Sequence, residues 1–301
     1  MIMKPREMTA ELLMLDALHN RMTLPPQDRK NYVHLQKGYE GEQQFDHLLG
    51  GLECDHIQLH DLLLEYSGTV FQIDTLLITK EKIFVYEVKN YQGEFFFEQE
   101  KFMKYPHQEI MNPLHQIGRS APMLTQLLRK LGFNLPIQFH IVFINLEFTL
   151  YHADKNPTII LPTQLNQHLR LLHEITTRLS QNHHRLAEKL VELHLEKSPY
   201  QKRPEYTYDE IRKGIVCGGC GLMEVELKGR KYYCAYCNWT EQVSTVITSS
   251  IKEFQLLFPE KKVTVSTIGD WCGGTVSLKT ISRVLNQNFT RKGKMRWSYY
   301  E

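Results

Sequence analysis

Two neighbouring strand-like runs hold three ionisable residues between apolar flanks. Phe71-Gln-Ile-Asp74-Thr-Leu-Leu-Ile-Thr is followed by Ile83-Phe-Val-Tyr-Glu87-Val-Lys89-Asn, and Asp74, Glu87 and Lys89 are the polar interruptions. Strand side chains alternate, so Glu87 and Lys89 project from one face. Val88 points the other way and leaves its carbonyl at the edge of the same site. Two acids on adjacent strands can hold one hard divalent cation through oxygen, as Mg²⁺ prefers. A lysine one step away can position a water and neutralise charge developing on a phosphate. Burying three such groups is costly unless they pair or serve chemistry. A structural Glu–Lys or Asp–Lys pair at a sheet edge is the competing reading.

The cysteines point to a metal of another kind. Four of the six form two pairs, Cys217-Gly-Gly-Cys220 and Cys234-Ala-Tyr-Cys237. Each Cys-x-x-Cys turn sets two thiolates near one point, and two such turns joined by a hairpin complete a tetrahedral Zn²⁺ site. The segment between them has the hairpin pattern: Val225 and Leu227 alternate with Glu224 and Glu226, Lys228-Gly-Arg230 turns, and Tyr232-Tyr233 returns. The whole resembles a zinc ribbon. Four thiolates leave no position for a water, so the zinc is structural, and its binding supplies folding free energy on the order of ten kcal/mol. Two redox pairs, or reduced core cysteines, are the competing reading. Cys54 and Cys272 stand apart and read as small buried apolar residues. His168, His173, His183, His184 and His194 lie on helices without partners at ligand spacing, and they read as surface or core residues.

These residues must be positioned by a chain of 301 residues, enough for about two domains. With 42% apolar and 23% charged residues, the composition excludes a disordered chain, a collagen-like fibre and a membrane bundle. No apolar run approaches the ~18 residues that a spanning helix needs, and the first residues do not read as a secretory signal. The default compartment is the cytoplasm, without membrane association. The net charge of +2 is unevenly divided: residues 1–200 hold 20 basic against 24 acidic residues, and residues 201–301 hold 16 against 10. From Lys279 to Arg296 there are six basic residues and no acidic one. A basic module appended to a mildly acidic one implies a polyanion partner or, more blandly, a solvated charged face.

Hydrophobic periodicity places a helix over residues 7–21, ended by Pro25-Pro26, and a second from about Gly38 to Leu49. Three strands follow, Ile57–Tyr66, Thr69–Thr79 and Lys82–Tyr91, in an antiparallel meander. A short hairpin is expected over Gly93–Phe102. Asn112-Pro113 opens a helix to Leu131, with a kink or break expected at Pro122. Ile137–Asn145 reads as a buried strand, and Pro162–His194 as two helices. Residues 198–210 read as a linker, followed by the ribbon at about 211–242.

The order of helix, three antiparallel strands, helix and strand, with Asp74 on the second strand and Glu-x-Lys on the third, resembles the restriction-endonuclease-like core of the PD-(D/E)xK nuclease superfamily. More narrowly it resembles the nuclease-related domain (NERD) family. The motifs are Lys37-Gly-Tyr-Glu-Gly-Glu42, Gln72-Ile-Asp74, Glu87-Val-Lys89-Asn-Tyr-Gln-Gly93 and Asn112-Pro-Leu-His-Gln116, with Ile73 in place of a proline that is often absent in the superfamily. The resemblance implies an α/β fold. It implies that Asp74, Glu87 and the Val88 carbonyl bind Mg²⁺ or Mn²⁺, and that Lys89 orients the attacking water or stabilises the transition state. Glu42 matches the family's helical acid and Gln116 the glutamine beside the site. The implied reaction is metal-dependent hydrolysis of phosphodiester bonds, with DNA as substrate and RNA left open.

The last segment looks like a winged helix-turn-helix. Ile251, Phe254, Leu257 and Phe258 are spaced for burial, as are Ile281, Val284, Leu285 and Phe289, and a basic turn precedes an aromatic strand. Lys279, Arg283, Asn286, Gln287, Arg291, Lys292 and Lys294 would face nucleic acid, since Arg, Asn and Gln read base edges and Lys and Arg grip phosphates. A small helical interaction domain with a basic rim is the plainer reading. The expected organisation is a nuclease-like domain with flanking helices at 1–200, a zinc ribbon at 201–243 and the winged-helix-like module at 244–301. The alternative to an enzyme is a non-catalytic DNA-binding or assembly protein that keeps a nuclease-like fold.

Overall fold

The computed structural model describes residues 1–196, 204–293 and 298–301. In chain order its elements are β1 (Ile2–Lys4), α1 (Ala10–Arg21), α2 (Pro26–Gly50), β2 (Ile57–Tyr66), β3 (Thr69–Ile78), β4 (Ile83–Lys89), β5 (Gly93–Glu98), β6 (Lys101–Lys104) and β7 (Gln108–Ile110). There follow α3 (Pro113–Lys130), β8 (Ile137–Phe143), β9 (Phe148–Tyr151), β10 (Ile159–Ile160), α4 (Pro162–His173) and α5 (Gln181–Glu192). The last are β11 (Val225–Lys228), β12 (Lys231–Cys234), β13 (Thr240–Gln242), α6 (Val243–Leu257), α7 (Val265–Trp271), α8 (Leu278–Asn288), β14 (Arg291–Lys292) and β15 (Tyr299–Tyr300). The chain is a mixed α/β protein with several sheets. It divides into two compact units, Met1–Met8 with His34–Gln201, and Thr9–Val33 with Lys202–Glu301. No described helix is long and apolar enough to cross a membrane.

The first unit is built on a six-stranded sheet in the order β1-β2-β3-β4-β8-β10. β2, β3 and β4 are antiparallel, while β1, β8 and β10 each run parallel to the strand they join. Ser67 and Gly68 both take positive φ, 50° and 78°, the geometry of the tight turn that joins twisted antiparallel strands. Both sheet faces are covered, and this is why the central strands read as near-continuous apolar runs. Leu59, Leu76, Val85 and Ile83 pack with Leu124, Leu127 and Leu128 of α3 and Leu186 and Leu190 of α5. Leu77, Phe84, Tyr86 and Val88 pack on the opposite face with Phe45 and Leu49 of α2 and Leu165, Leu169 and Leu172 of α4.

Some elements differ from the sequence reading. The helix expected from Gly38 starts at Pro26, a residue whose fixed φ and missing N–H suit the first helical position. α3 continues without a break through Pro122. Leu124, Leu127 and Leu128 are buried beyond it, and their packing outweighs the single backbone hydrogen bond that proline removes. The expected hairpin after Gly93 is part of a four-stranded sheet, β7-β6-β5-β9. That sheet packs Phe95, Phe102 and Phe148 against Ile141 and Phe143 of β8.

In the second unit, a three-stranded antiparallel sheet β11-β12-β13 precedes α6, α7 and α8, and β14 pairs with β15 behind them. Thr264 and Ser277 cap α7 and α8 by accepting backbone N–H groups, as short hydroxyl side chains do at helix starts. The N-terminal helix α1 is tied into this unit by Arg21, which is fully buried. Its guanidinium binds Glu253 at 2.6 and 3.0 Å and the carbonyls of Arg212 and Gly214 at 2.9 and 3.1 Å, and it stacks 3.9 Å from the Trp271 ring. These are four hydrogen bonds from one guanidinium and include a carboxylate partner, the pairing that burying the charge requires. The expected linker at 198–210 lies partly outside the described residues, as do the first residues of the aromatic strand expected after Lys294.

Candidate active site and metal centre

β3 and β4 pair from Thr75–Ile78 to Ile83–Tyr86 and no further. Beyond that point β3 continues against β2, and β4 continues against β8 as far as Lys89. The strands therefore fork, and Asp74 and Glu87 are the first residues past the fork. The Asp74 carboxylate fills the gap by accepting the Val88 N–H at 2.9 Å. Lys89 Nζ donates to Glu87 Oε1 at 2.6 Å and to Gln116 Oε1 at 3.0 Å. Gln116 lies in the first turn of α3, whose start is set by the Asn112 side chain capping the Leu114 N–H.

Glu42 reaches the same region from α2. The helix can approach because residue 41 is glycine: a Cβ there would stand 2.5 Å from Asn90 Cβ. Asn90 in turn donates to the Lys37 carbonyl at 2.8 Å and accepts from Asn145 at 2.9 Å. The sequence motifs around Glu42 and Glu87 are thus in direct contact.

The electrostatics are those of crowded acids. Burial and then Asp74 raise Glu87 to about 8, against the pull of Lys89. Burial and then Asp74 raise Glu42 to about 8 as well, with Glu87 adding to the effect and Arg6 opposing it. Asp74 is itself raised by burial, against Lys89 and the Val88 N–H. Burial opposes the charge on Lys89, but Glu87 and Asp74 raise it overall. Carboxyls whose ionisation is opposed by burial and by one another form an oxygen donor set whose crowding a hard dication would relieve. The three acids are less tightly drawn together than the cysteines described below.

Three residues at this site lacked any sequence signal: Arg6, Asp46 and His60. Arg6 donates to Glu42 Oε2 at 2.6 Å, to Asp46 at 2.7 and 3.1 Å, to the Asp74 carbonyl at 2.7 Å and to Thr75 Oγ1 at 2.9 Å. His60 Nδ1 lies 2.9 Å from Asp46 Oδ1. Asp61, which faces Asp74 across the β2·β3 ladder, is a left-handed residue with φ 51°. The pairing skips Asp61 and Asp74 alike, passing from His60↔Thr75 to Leu62↔Ile73 with the register unchanged.

In the second unit the Sγ atoms of Cys217, Cys220, Cys234 and Cys237 all lie within 4.8 Å of one another, the only such group of three or more candidate ligands among the described residues. Cys217 and Cys237 are 3.5 Å apart, and Cys220 and Cys234 3.6 Å. A tetrahedral ion with Zn–S bonds of about 2.3 Å would hold its sulfurs about 3.8 Å apart, so the set fits zinc. The Gly219 N–H donates to Cys217 Sγ at 3.3 Å. Hydrogen bonds from the backbone of Cys237 and Tyr236 bring the Cys234 thiol down to about 7. The cluster is compatible with a zinc ribbon.

On α8 and the strands after it, Lys279, Arg283, Gln287, Arg291 and Lys292 are exposed. Asn286 is also exposed, but its Oδ1 accepts the Tyr300 hydroxyl at 3.0 Å, and Arg291 donates to Ser298 Oγ at 2.8 Å. Lys294 lies outside the described residues. His183 and His194 have structural partners, the Lys80 carbonyl at 3.0 Å and the Leu63 N–H at 3.0 Å.

The first unit thus presents a buried carboxylate–lysine cluster at a strand fork, flanked by an acid from one helix and an amide from another. The model of the nuclease-related domain family, NERD, matches residues 37–144, which include Glu42, Asp74, Glu87, Lys89 and Gln116. The chain therefore carries a nuclease-related domain, with nucleic acid as the implied class of substrate. No match is found among curated proteins or among solved structures.

Proposed function

We propose that the protein is a metal-dependent nuclease of the PD-(D/E)xK type that hydrolyses phosphodiester bonds of DNA. The observation that carries this reading is the meeting of Asp74, Glu87 and Lys89 at the fork, with Lys89 2.6 Å from Glu87 and the Asp74 carboxylate on the Val88 N–H. Asp74, Glu87 and the Val88 carbonyl would hold Mg²⁺ or Mn²⁺, and Glu42 would hold a metal-bound water or a second ion. When bound, the cation supplies Lewis-acid activation and charge neutralisation at a phosphodiester. The protein's own groups do the rest. Lys89, held by Glu87 and Gln116, keeps its proton and offers a fixed positive charge to the developing phosphate charge, at no cost of reorganisation. Gln116 holds that ammonium from the α3 side.

The core order of helix, three antiparallel strands, helix and strand supports a restriction-endonuclease-like assignment. The succession α6, α7, α8 and the β14·β15 pair supports a winged-helix module that, with the zinc ribbon, delivers the nuclease to DNA. Labelled plasmid and single-stranded DNA titrated with Mg²⁺ and Mn²⁺ test the reading. Cleavage by the wild type that is lost in Asp74→Ala and in Lys89→Ala is the expected result. Cleavage that survives either substitution, or a wild type that binds DNA and never cuts it, overturns it and leaves a DNA-binding protein with a nuclease-like fold.

A further inference from the structure

We propose that Arg6 is a positioning residue for this site: its guanidinium fixes the strand fork at Asp74 and aims Glu42 toward the carboxylates of Asp74 and Glu87. The inference rests on the nuclease reading. Arg6 lies in the short segment after β1 and outside the matched 37–144 stretch, and its side chain is only 4% exposed. It ties its own segment to two elements at once. Nη1 takes Glu42 of α2, Nε and Nη2 grip both oxygens of Asp46 one turn further on, and Nη2 also reaches the carbonyl of Asp74 and the hydroxyl of Thr75 on β3. Asp74 is thereby held at both ends, its carbonyl by Arg6 at 2.7 Å and its carboxylate by the Val88 N–H at 2.9 Å. The first of these bonds falls where the β3·β4 pairing has ended.

The guanidinium is itself held by a chain of groups that runs from half-buried Asp46 into the core. Asp46 Oδ1 lies 2.9 Å from His60 Nδ1 and accepts the Thr75 hydroxyl at 3.3 Å. His60 Nε2 lies 3.2 Å from Gln58 Oε1, and Gln58 Nε2 donates to the Leu49 carbonyl at 3.1 Å and lies 2.7 Å from His56 Nε2. Such a chain holds the planar fork in one orientation. A lysine would supply the charge but could not reach the four partners together. A groups-behind-the-ligands arrangement of this kind orients metal-binding carboxylates and tunes their affinity.

The test is Arg6→Lys in the full chain, read by Mn²⁺ affinity from electron paramagnetic resonance and by steady-state cleavage of labelled DNA. Mn²⁺ affinity is expected to fall about 10-fold or more, with kcat reduced and KM for DNA unchanged. Combined with Glu42→Gln, the loss of Mn²⁺ affinity should be smaller than the product of the two single losses, because Arg6 acts partly through Glu42. Asp46→Asn, which removes the charge that grips Arg6 at constant size, should lower Mn²⁺ affinity in the same direction and serves if Arg6→Lys does not fold. Wild-type Mn²⁺ affinity in these variants, or single losses that simply multiply, overturns the inference while the nuclease reading stands. A wild type that neither binds Mn²⁺ nor cleaves overturns both.

Discussion

Metal binding at the fork should be strongly pH-dependent, and the structure gives the size of the effect. Glu42 and Glu87 both stand at about 8, raised first by burial and then by Asp74. Each then holds its proton about ten to one at pH 7 and about a hundred to one at pH 6. A dication must displace these protons. Each proton displaced weakens apparent affinity about tenfold per pH unit below 8. Since one or both carboxyls give up a proton, the Kd for Mn²⁺ should rise about 10- to 100-fold between pH 7 and pH 6 and level off above pH 8. Isothermal titration with Mn²⁺ at several pH values, in buffers of different ionisation enthalpy, measures both the slope and the protons released. Glu87→Gln should remove most of the binding. An affinity flat between pH 6 and pH 8, or a titration that releases no protons at pH 7, would refute the argument. The same acids bear on stability. Their folded pKa values lie above the unfolded one, so the folded chain binds their protons more tightly. That contribution is complete below about pH 4.5 and is lost as pH rises toward 8, so the metal-free first unit should weaken over that window.

Three further predictions follow from other parts of the molecule. Gly41→Ala places a Cβ 2.5 Å from Asn90 Cβ and 3.2 Å from Ile144 Cγ2, and it should cost about 1–3 kcal/mol in urea unfolding and weaken Mn²⁺ binding; unchanged values would show that α2 does not set the site. Metal analysis of protein kept reduced should find about one zinc per chain, and Cys234→Ser should lose it together with thermal stability, whereas zinc-free wild type would contradict the four-thiolate reading. Arg283→Ala and Lys292→Ala should each lower DNA affinity and flatten the salt dependence by about 0.9 in log–log slope; unchanged slopes in fluorescence anisotropy would remove the winged-helix module from the DNA-binding account.

Where the sequence was readable, local physics was in charge. Asp74, Glu87 and Lys89 stand out because charged groups inside buried strands demand a reason, and Glu87 and Lys89 do share one face, joined at 2.6 Å. The four cysteines are legible because a two-residue spacer geometrically limits where two sulfurs can go. What stayed hidden depends on partners remote in the chain. Arg6 meets acids 36 and 40 residues away, and nothing in its neighbourhood distinguishes it from a solvated arginine. Asp61 defeats the alternation rule: across its left-handed backbone, Leu62 and Leu64 join the same core cluster as Leu59. The helix Ala10–Arg21 looks like a flanking helix of the domain that follows it in sequence, yet its buried arginine pairs with Glu253, 232 residues on. The pairing of β5 with β9 that completes the second sheet is likewise a parallel contact across more than fifty residues, with Gly93 against Phe148.

The most direct test of the central claim is a crystal grown with Mn²⁺, read by the anomalous signal of the ion. One strong peak bounded by the carboxylates of Asp74 and Glu87 and the carbonyl of Val88, absent in Asp74→Asn, is the predicted result. Saturating Mn²⁺ with no peak at the fork would contradict it.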